Sequence, residues 1–264
     1  MQAENTANHK DIMLSVKGVN KSFGGLKALS DVGIEVKKNT VYGLIGPNGA
    51  GKTTFFNVIT GLYTPDSGEF ILQGKPYQPI AVHKVAEAGI ARTFQNIRLF
   101  GQMTALENVM IGRHVRTKGG ILGSILGLKS VREEEKAIKQ RAMELLDYVG
   151  ISKYHDYIAK NLSYGHQRRL EIARALATEP KLLALDEPAA GMNATEKVEL
   201  TKLLRRISDD GVTILIIEHD VKLIMGLCDE MTVLDYGKIL AQGLPETVRK
   251  DPRVIEAYLG AQHA

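Results

Sequence analysis

Short apolar runs recur along the chain at residues 14–19, 41–45, 70–72, 182–185, 212–217 and 231–234. Several are almost continuously apolar instead of alternating, as strands are when both faces of their sheet are covered. Helix-like stretches separate them, and that alternation predicts an α/β fold, a parallel sheet wound with crossover helices. The run 41–45 leads into a glycine-rich turn, after which 53–59 is predicted to be a helix. The middle of the chain differs. From about 104 to 157 the strand signal vanishes, and Ile138, Ala142, Leu145 and Val149 fall on one helical stripe. This predicts a helical subdomain inserted into the α/β core. Within it, 117–130 (TKGGILGSILGLKS) is apolar and glycine-rich without a clear period. It reads either as a hairpin packed on its own subdomain or as a contact with a membrane-embedded partner.

Composition narrows the class. A chain of 264 residues fits one large domain or one domain carrying a small subdomain, and 44% hydrophobic with 24% charged residues is ordinary for a globular protein. No run of about 20 apolar residues occurs, so no segment is expected to span a bilayer. The start, MQAENTANHKD, lacks the apolar stretch of a secretory signal, and residues 1–11 are expected to be frayed. Cys228 is the single cysteine, which leaves no internal disulfide and suits a reducing cytosol. The net charge of +4 is mild and favours neither a nucleic acid nor an anionic membrane surface as partner. No internal repeat is found.

The strongest chemical signal is the glycine-rich turn. Gly46, Pro47, Asn48, Gly49, Ala50, Gly51, Lys52 and Thr53 match G-x-x-x-x-G-K-[ST] at every fixed position, between a strand and a helix. Glycines at 46, 49 and 51 let backbone N–H groups turn inward around phosphate oxygens with no side chain in the way. The start of the following helix adds unpaired N–H groups and a positive dipole end. Lys52 is expected on the β- and γ-phosphates, the Thr53 hydroxyl on Mg²⁺, and Thr54 is counted with the nucleotide-binding loop. ATP binding and hydrolysis are the expected activity.

A second element narrows the chemistry. Residues 182–188, LLALDEP, are an apolar strand expected to end in two adjacent carboxylates at an exposed edge. Asp186 can hold a metal ion through water, and Glu187 can polarise an attacking water. Paired carboxylates at the end of a buried strand are costly unless a cation sits there. No N-K-x-D motif for reading guanine appears, which counts against a GTPase.

Between these two elements, Leu162, Ser163, Tyr164, Gly165, His166 and Gln167 are followed by Arg168, Arg169, Leu170 and the helix-like IARALA. This stretch resembles the signature motif of ATP-binding cassette (ABC) proteins, and the rest of that family's set follows in order. Phe23 falls where the family has an aromatic that stacks on adenine. Gln95, in RTFQ, falls at the glutamine that senses Mg²⁺ and couples to the transmembrane partner. The segment 189–193, AAGMN, falls at the loop that communicates across the dimer. His219 matches the switch histidine that contacts the γ-phosphate. There are departures: Tyr164 stands where the common signature has Gly, His166 where it has Gln, and Asn193 where many cassettes carry Asp. Ser163 and Gly165 are retained, and a hydroxyl with an unhindered N–H at a helix start suits a phosphate.

The resemblance implies a P-loop NTPase parallel-sheet core with an antiparallel β subdomain and an inserted α-helical subdomain. One cassette would span 12–264, with 12–94 and 160–264 as the RecA-like core and β subdomain, and 95–159 as the helical subdomain carrying a coupling groove. It implies ATP and Mg²⁺ as cofactors, Thr53, Asp186 and Gln95 at the metal, and Glu187, His219 and Gln95 in catalysis. It also implies a head-to-tail dimer with a second ABC ATPase subunit, or with itself. In that dimer Ser163 and Gly165 of one subunit face the γ-phosphate held by the other.

The blocks VKGVNKSFGGLKAL, GIARTFQNIRLFGQMTALENVMIGRH, LSYGHQRRLEIARALAT, LDEPAAGMN, IIEHDVKLIMGLCD and DPRVIEAYLG carry the resemblance further. They are similar to the ATPase subunits of bacterial branched-chain amino acid importers, over nearly the whole chain, and the insertion 113–130 is like that of one of the two ATPase subunits. Two transmembrane permease subunits and, indirectly, an extracytoplasmic solute-binding protein would be partners, with no nucleic acid. The chain would sit peripherally on the cytoplasmic side of the inner membrane. ATPases of other importers (other amino acids, urea or short amides) and of lipid or polysaccharide exporters share every catalytic motif and stay open as alternatives. A soluble ABC ATPase acting on DNA or ribosomes would bring two cassettes or a long coiled-coil insert, and this chain has neither.

Overall fold

A computed structural model describes residues 11–114 and 129–260. Residues 1–10, nearly all of the expected frayed start, and 115–128, the bulk of the 117–130 segment, lie outside the described residues, as do 261–264.

Among the described residues ten strands form: β1 (Ile12–Phe23), β2 (Leu26–Lys37), β3 (Val41–Ile45), β4 (Ser67–Leu72), β5 (Lys75–Pro76), β6 (Ile90–Arg92), β7 (Leu182–Asp186), β8 (Thr213–Ile217), β9 (Glu230–Asp235) and β10 (Lys238–Gly243). Six of them make one sheet in the order β10-β9-β3-β8-β7-β6. Its pairings are parallel except for the β9–β10 hairpin at one edge. Strands β3, β7 and β8 are buried at every position, which is why their sequences carry no alternation. The other sheet is antiparallel, in the order β2-β1-β4-β5. Both sheets contribute to one apolar core, which includes Leu14, Val16, Leu29 and Phe70 as well as Leu44 and Leu215.

The helices are α1 (Lys52–Ile59), α2 (Val82–Ala88), α3 (Ala105–His114), α4 (Lys129–Tyr148), α5 (Tyr164–Leu176), α6 (Ala194–Asp209), α7 (Val221–Leu227), α8 (Pro245–Val248) and α9 (Pro252–Gly260). Helix α1 starts one residue earlier than its sequence predicts, at Lys52. Phe55, Phe56, Val58 and Ile59 on α1 are fully buried in the core. Burying such side chains contributes about 1.5–3 kcal/mol each, so the helix is a rigid base for the loop that precedes it.

The chain packs as two compact units. The first takes the described residues of Met1–Arg92, Lys181–Ala190 and Lys197–Ala264, including both sheets. The second takes Thr93–Pro180 and Gly191–Glu196. Between its ends the second unit is helical: Ile138, Ala142 and Leu145 on α4 and Val149 just beyond it are buried together as one stripe. Helices α3 and α5 touch where Gly112 removes the obstacle, since a Cβ there would stand 2.3 Å from the Arg174 carbonyl oxygen.

Candidate nucleotide site

In the first unit, parallel pairing sets the register from which the site grows. Leu44 of β3 lies opposite Ile217 of β8, and Ile217 lies opposite Asp186 of β7. The three strands therefore release Gly46, Glu187 and His219 at one carboxyl edge of the sheet, where open α/β sheets bind ligands.

The loop after β3 can be built only from its glycines. Gly46 has φ 151°, and a Cβ there would lie 2.1 Å from the Leu234 carbonyl oxygen. Gly51 has φ 99°, and its Cβ would meet the Ala28 carbonyl oxygen at 2.9 Å. Helix α1 then begins with no side-chain cap and no acidic residue in its first turn, leaving its N-terminal N–H groups to a ligand. Lys52 is buried, and its ammonium donates to the carbonyl oxygens of Gly46 at 2.7 Å and Pro47 at 2.8 Å. Burial lowers its pKa, with Glu187 working in the opposite direction. Residues 48–54 line a cavity of about 420 Å³ together with Phe23, Tyr236 and Glu187. Phe23, at the end of β1, is 43% exposed, with the Tyr63 ring edge-on at 5.3 Å.

The carboxylate pair is corrected in one respect. Asp186 is not at an exposed edge: it is 4% exposed and has Arg92 Nη2 at 3.7 Å from Oδ2. Arg92 is itself held by Asn57 and Thr60 and lies over the Phe56 ring. A side-chain cation therefore already stands beside Asp186, and the cost of the buried carboxylate does not by itself require a metal. Glu187 is half-buried in the left-handed region at φ 46°, its N–H bonded to the Ile217 carbonyl at 2.9 Å. Such a conformation in a non-glycine residue is strained, and such strain clusters at functional sites. His219 is exposed, with Nδ1 3.7 Å from Glu187 Oε2.

Glu218 is a residue that the motifs pass over. It is fully buried beside His219, accepts the Ala189 N–H at 2.8 Å and the His219 N–H at 3.3 Å, and burial raises its pKa. The signal was present in the sequence as a carboxylate directly ending the apolar run 212–217.

Gln95, Ser163 and Gly165 belong to the second unit. Ser163 is the N-cap of α5, its hydroxyl accepting from the His166 N–H at 3.4 Å. A Cβ on Gly165 would stand 2.9 Å from Glu196 Oε1, the far end of a flexible side chain that can give way. Asn193 and Glu196 form a reciprocal capping box at the start of α6, both bonds 3.0 Å. Asparagine therefore fills a capping role open equally to aspartate. The Gln95 side chain is exposed, while its carbonyl accepts from Arg168 at 2.8 Å.

With that geometry in hand, comparison with known proteins is direct. Residues 29–190 match the family described as ABC transporter, and 238–264 match the one described as branched-chain amino acid ATP-binding cassette transporter. The high-affinity branched-chain amino acid transport ATP-binding protein LivG of Escherichia coli (strain K12) is 43% identical over 249 residues, 94% of this chain and 98% of LivG. The crystal structure of an ABC transporter's ATP-binding cassette in its ADP conformation superposes with a TM-score of 0.82 at 34% identity, covering 94% of this chain and 99% of that one. A dimeric cassette in a post-hydrolysis state, bound to ADP and Pi, gives a TM-score of 0.74 at 25% identity, over 88% of this chain and 99% of that one. This chain belongs to the ABC transporter family, as one of its nucleotide-binding ATPase cassettes.

Proposed function

We propose that this chain is the ATP-hydrolysing subunit that powers an importer of branched-chain amino acids. In this reading it closes on a second cassette when ATP binds and reopens after hydrolysis. The observation that carries the reading is the convergence of residues 48–54, Phe23 and Glu187 on one cavity at the carboxyl edge of the parallel sheet. The branched-chain solute in the name of LivG supports the substrate class.

The residues divide the work by their chemistry. Lys52 exchanges the carbonyls of Gly46 and Pro47 for phosphate oxygens, a charged acceptor in place of neutral ones. Phe23, which lines the cavity, stacks on adenine in this reading. Glu187 polarises the attacking water, and His219 steadies the γ-phosphate. Thr53 and Asp186 supply the hard oxygen donors that Mg²⁺ takes alongside water and substrate phosphates, so the donor set fits that ion. Held by these residues, Mg²⁺ would supply positive charge against the phosphates. The role that the resemblance gives Gln95 belongs to the same reading.

Ser163, Gly165 and the start of α5 face the ATP of the second cassette in this account. They supply positive potential that an arginine finger supplies elsewhere. The dimeric relative supports such pairing. ATP then favours the closed dimer, and hydrolysis removes that preference. Two permease subunits, fed by an extracytoplasmic solute-binding protein, complete the assembly at the cytoplasmic face of the inner membrane. They contact the helical subdomain, 95–159, while 12–94 and 160–264 act as the catalytic core. Among the described residues no helix is long and apolar enough to cross a membrane, so attachment in this reading runs through the permeases.

Deleting the chain from its cell tests the reading. Uptake of labelled leucine is expected to be lost and restored by the gene in trans. Undisturbed uptake of leucine, isoleucine and valine would contradict the importer assignment.

A further inference from the structure

Arg168 is among the largest fully buried side chains of the protein. A buried guanidinium is tolerated only with partners, and the partners here follow a pattern. Nη1 donates to the Phe94 carbonyl and to Glu171 Oε2, both at 2.7 Å. Nη2 donates to the Gln95 carbonyl at 2.8 Å and to the Tyr164 hydroxyl at 3.1 Å. Glu171, buried one helical turn on, turns its other oxygen to the N–H groups of Phe94 at 3.3 Å and Arg98 at 3.4 Å. One ion pair on α5 thus holds carbonyls and amides of a single irregular segment. At the far side, the Tyr164 ring lies against Gly191, where a Cβ would come within 3.4 Å of it. A continuous path of contacts joins Gly191, Tyr164, Arg168 and Gln95, all within the second unit.

We propose that Arg168 is a positioning residue that locks the backbone of Gln95 to the signature helix. Tyr164, standing where the common signature has glycine, is the side chain that gives Nη2 its second acceptor, while the buried Nε–H finds none. A planar guanidinium is required because it serves several acceptors in fixed directions, which a lysine ammonium cannot reproduce. The consequence is that the signature segment and Gln95 move as one piece. That consequence rests on the proposed function, in which both serve ATP turnover.

The test measures steady-state ATP turnover against ATP concentration in the assembled transporter, for wild type, Arg168→Lys, Tyr164→Phe and Glu187→Gln. Hydrogen exchange of the 94–98 amides is followed in each full-length chain. Arg168→Lys is expected to lower kcat about tenfold with KM for ATP within about twofold, and to speed exchange at 94–98. Tyr164→Phe, which keeps the ring on Gly191 and removes one bond, is expected to show the same split at about threefold, so the test survives a poorly folding Arg168 variant. Wild-type kcat in folded Arg168→Lys and Tyr164→Phe would overturn the proposal. So would a loss of activity with unchanged exchange at 94–98. If the wild-type assembly turns over no ATP, the proposed function fails instead; Glu187→Gln turning over like wild type removes only Glu187 from it, and both results are separate from failure of the Arg168 proposal.

Discussion

Glu187 Oε2 and His219 Nδ1 lie 3.7 Å apart, brought together by adjacent strands β7 and β8. That separation is too long for a direct hydrogen bond and leaves both atoms within reach of one oxygen set to the side of them, such as that of a water. His219 is 62% exposed, so its removal leaves the core intact. His219→Ala is expected to lose turnover by about 100-fold or more while binding ATP within a few-fold of wild type. Single-turnover hydrolysis beside a fluorescent-nucleotide titration checks both halves.

Lys52→Ala tests the loop's charge. The buried ammonium now spans two carbonyls of its own loop, so the variant loses internal bonds as well as the phosphate contact. Nucleotide affinity is expected to fall at least about tenfold, since charged hydrogen bonds are worth about 1.5–3 kcal/mol. A titration indistinguishable from wild type would remove Lys52 from the site.

Two glycines of that loop separate packing from backbone strain. A Cβ on Gly46 would collide with the Leu234 carbonyl, whereas one on Gly49 meets nothing within 4 Å and suffers only from φ 78°. Gly46→Ala is therefore expected to destabilise by more than about 3 kcal/mol, and Gly49→Ala by about 1–2 kcal/mol. Urea unfolding of the two variants gives the order, and equal midpoints would contradict it.

Glu218 makes stability depend on pH. Burial raises its pKa above the ordinary 4.5, against smaller opposing effects from the Ala189, His219 and Asp220 N–H groups and the His219 charge. A carboxyl that holds its proton more tightly folded than unfolded makes stability fall as pH rises through that interval. Glu218→Gln removes this slope while keeping an acceptor for Ala189. The Tm of the variant minus that of wild type is expected to grow as pH is raised above 4.5. A flat or shrinking difference would show that burial does not dominate.

The parts of the fold legible in the sequence were those fixed by local chemistry. Strands β3, β7 and β8 announce themselves because covering on both faces demands unbroken apolar runs. Strand β2 was missed as a pattern because its buried and exposed positions alternate irregularly around bulges in its pairing with β1. Strand β6 has only three residues, too few to show a period. The loop and Glu187 were readable as candidates from their own motifs, and His219 only through the family resemblance. The Arg92–Asp186 pair and the reach of Arg168 were not, because both depend on contacts between residues some 70 or more positions apart. Tyr164 and Asn193 looked like departures from a pattern, and the structure gives each a partner: Arg168 for the first, Glu196 for the second.

In the proposed function Glu187, set in a strained turn beside the phosphate loop, activates the water that cleaves ATP. Steady-state ATP hydrolysis by Glu187→Gln, measured alongside ATP binding, tests it most directly. Retained binding, a trapped dimer and turnover reduced by about 100-fold or more are expected. Undiminished hydrolysis by a variant that binds ATP normally would contradict it.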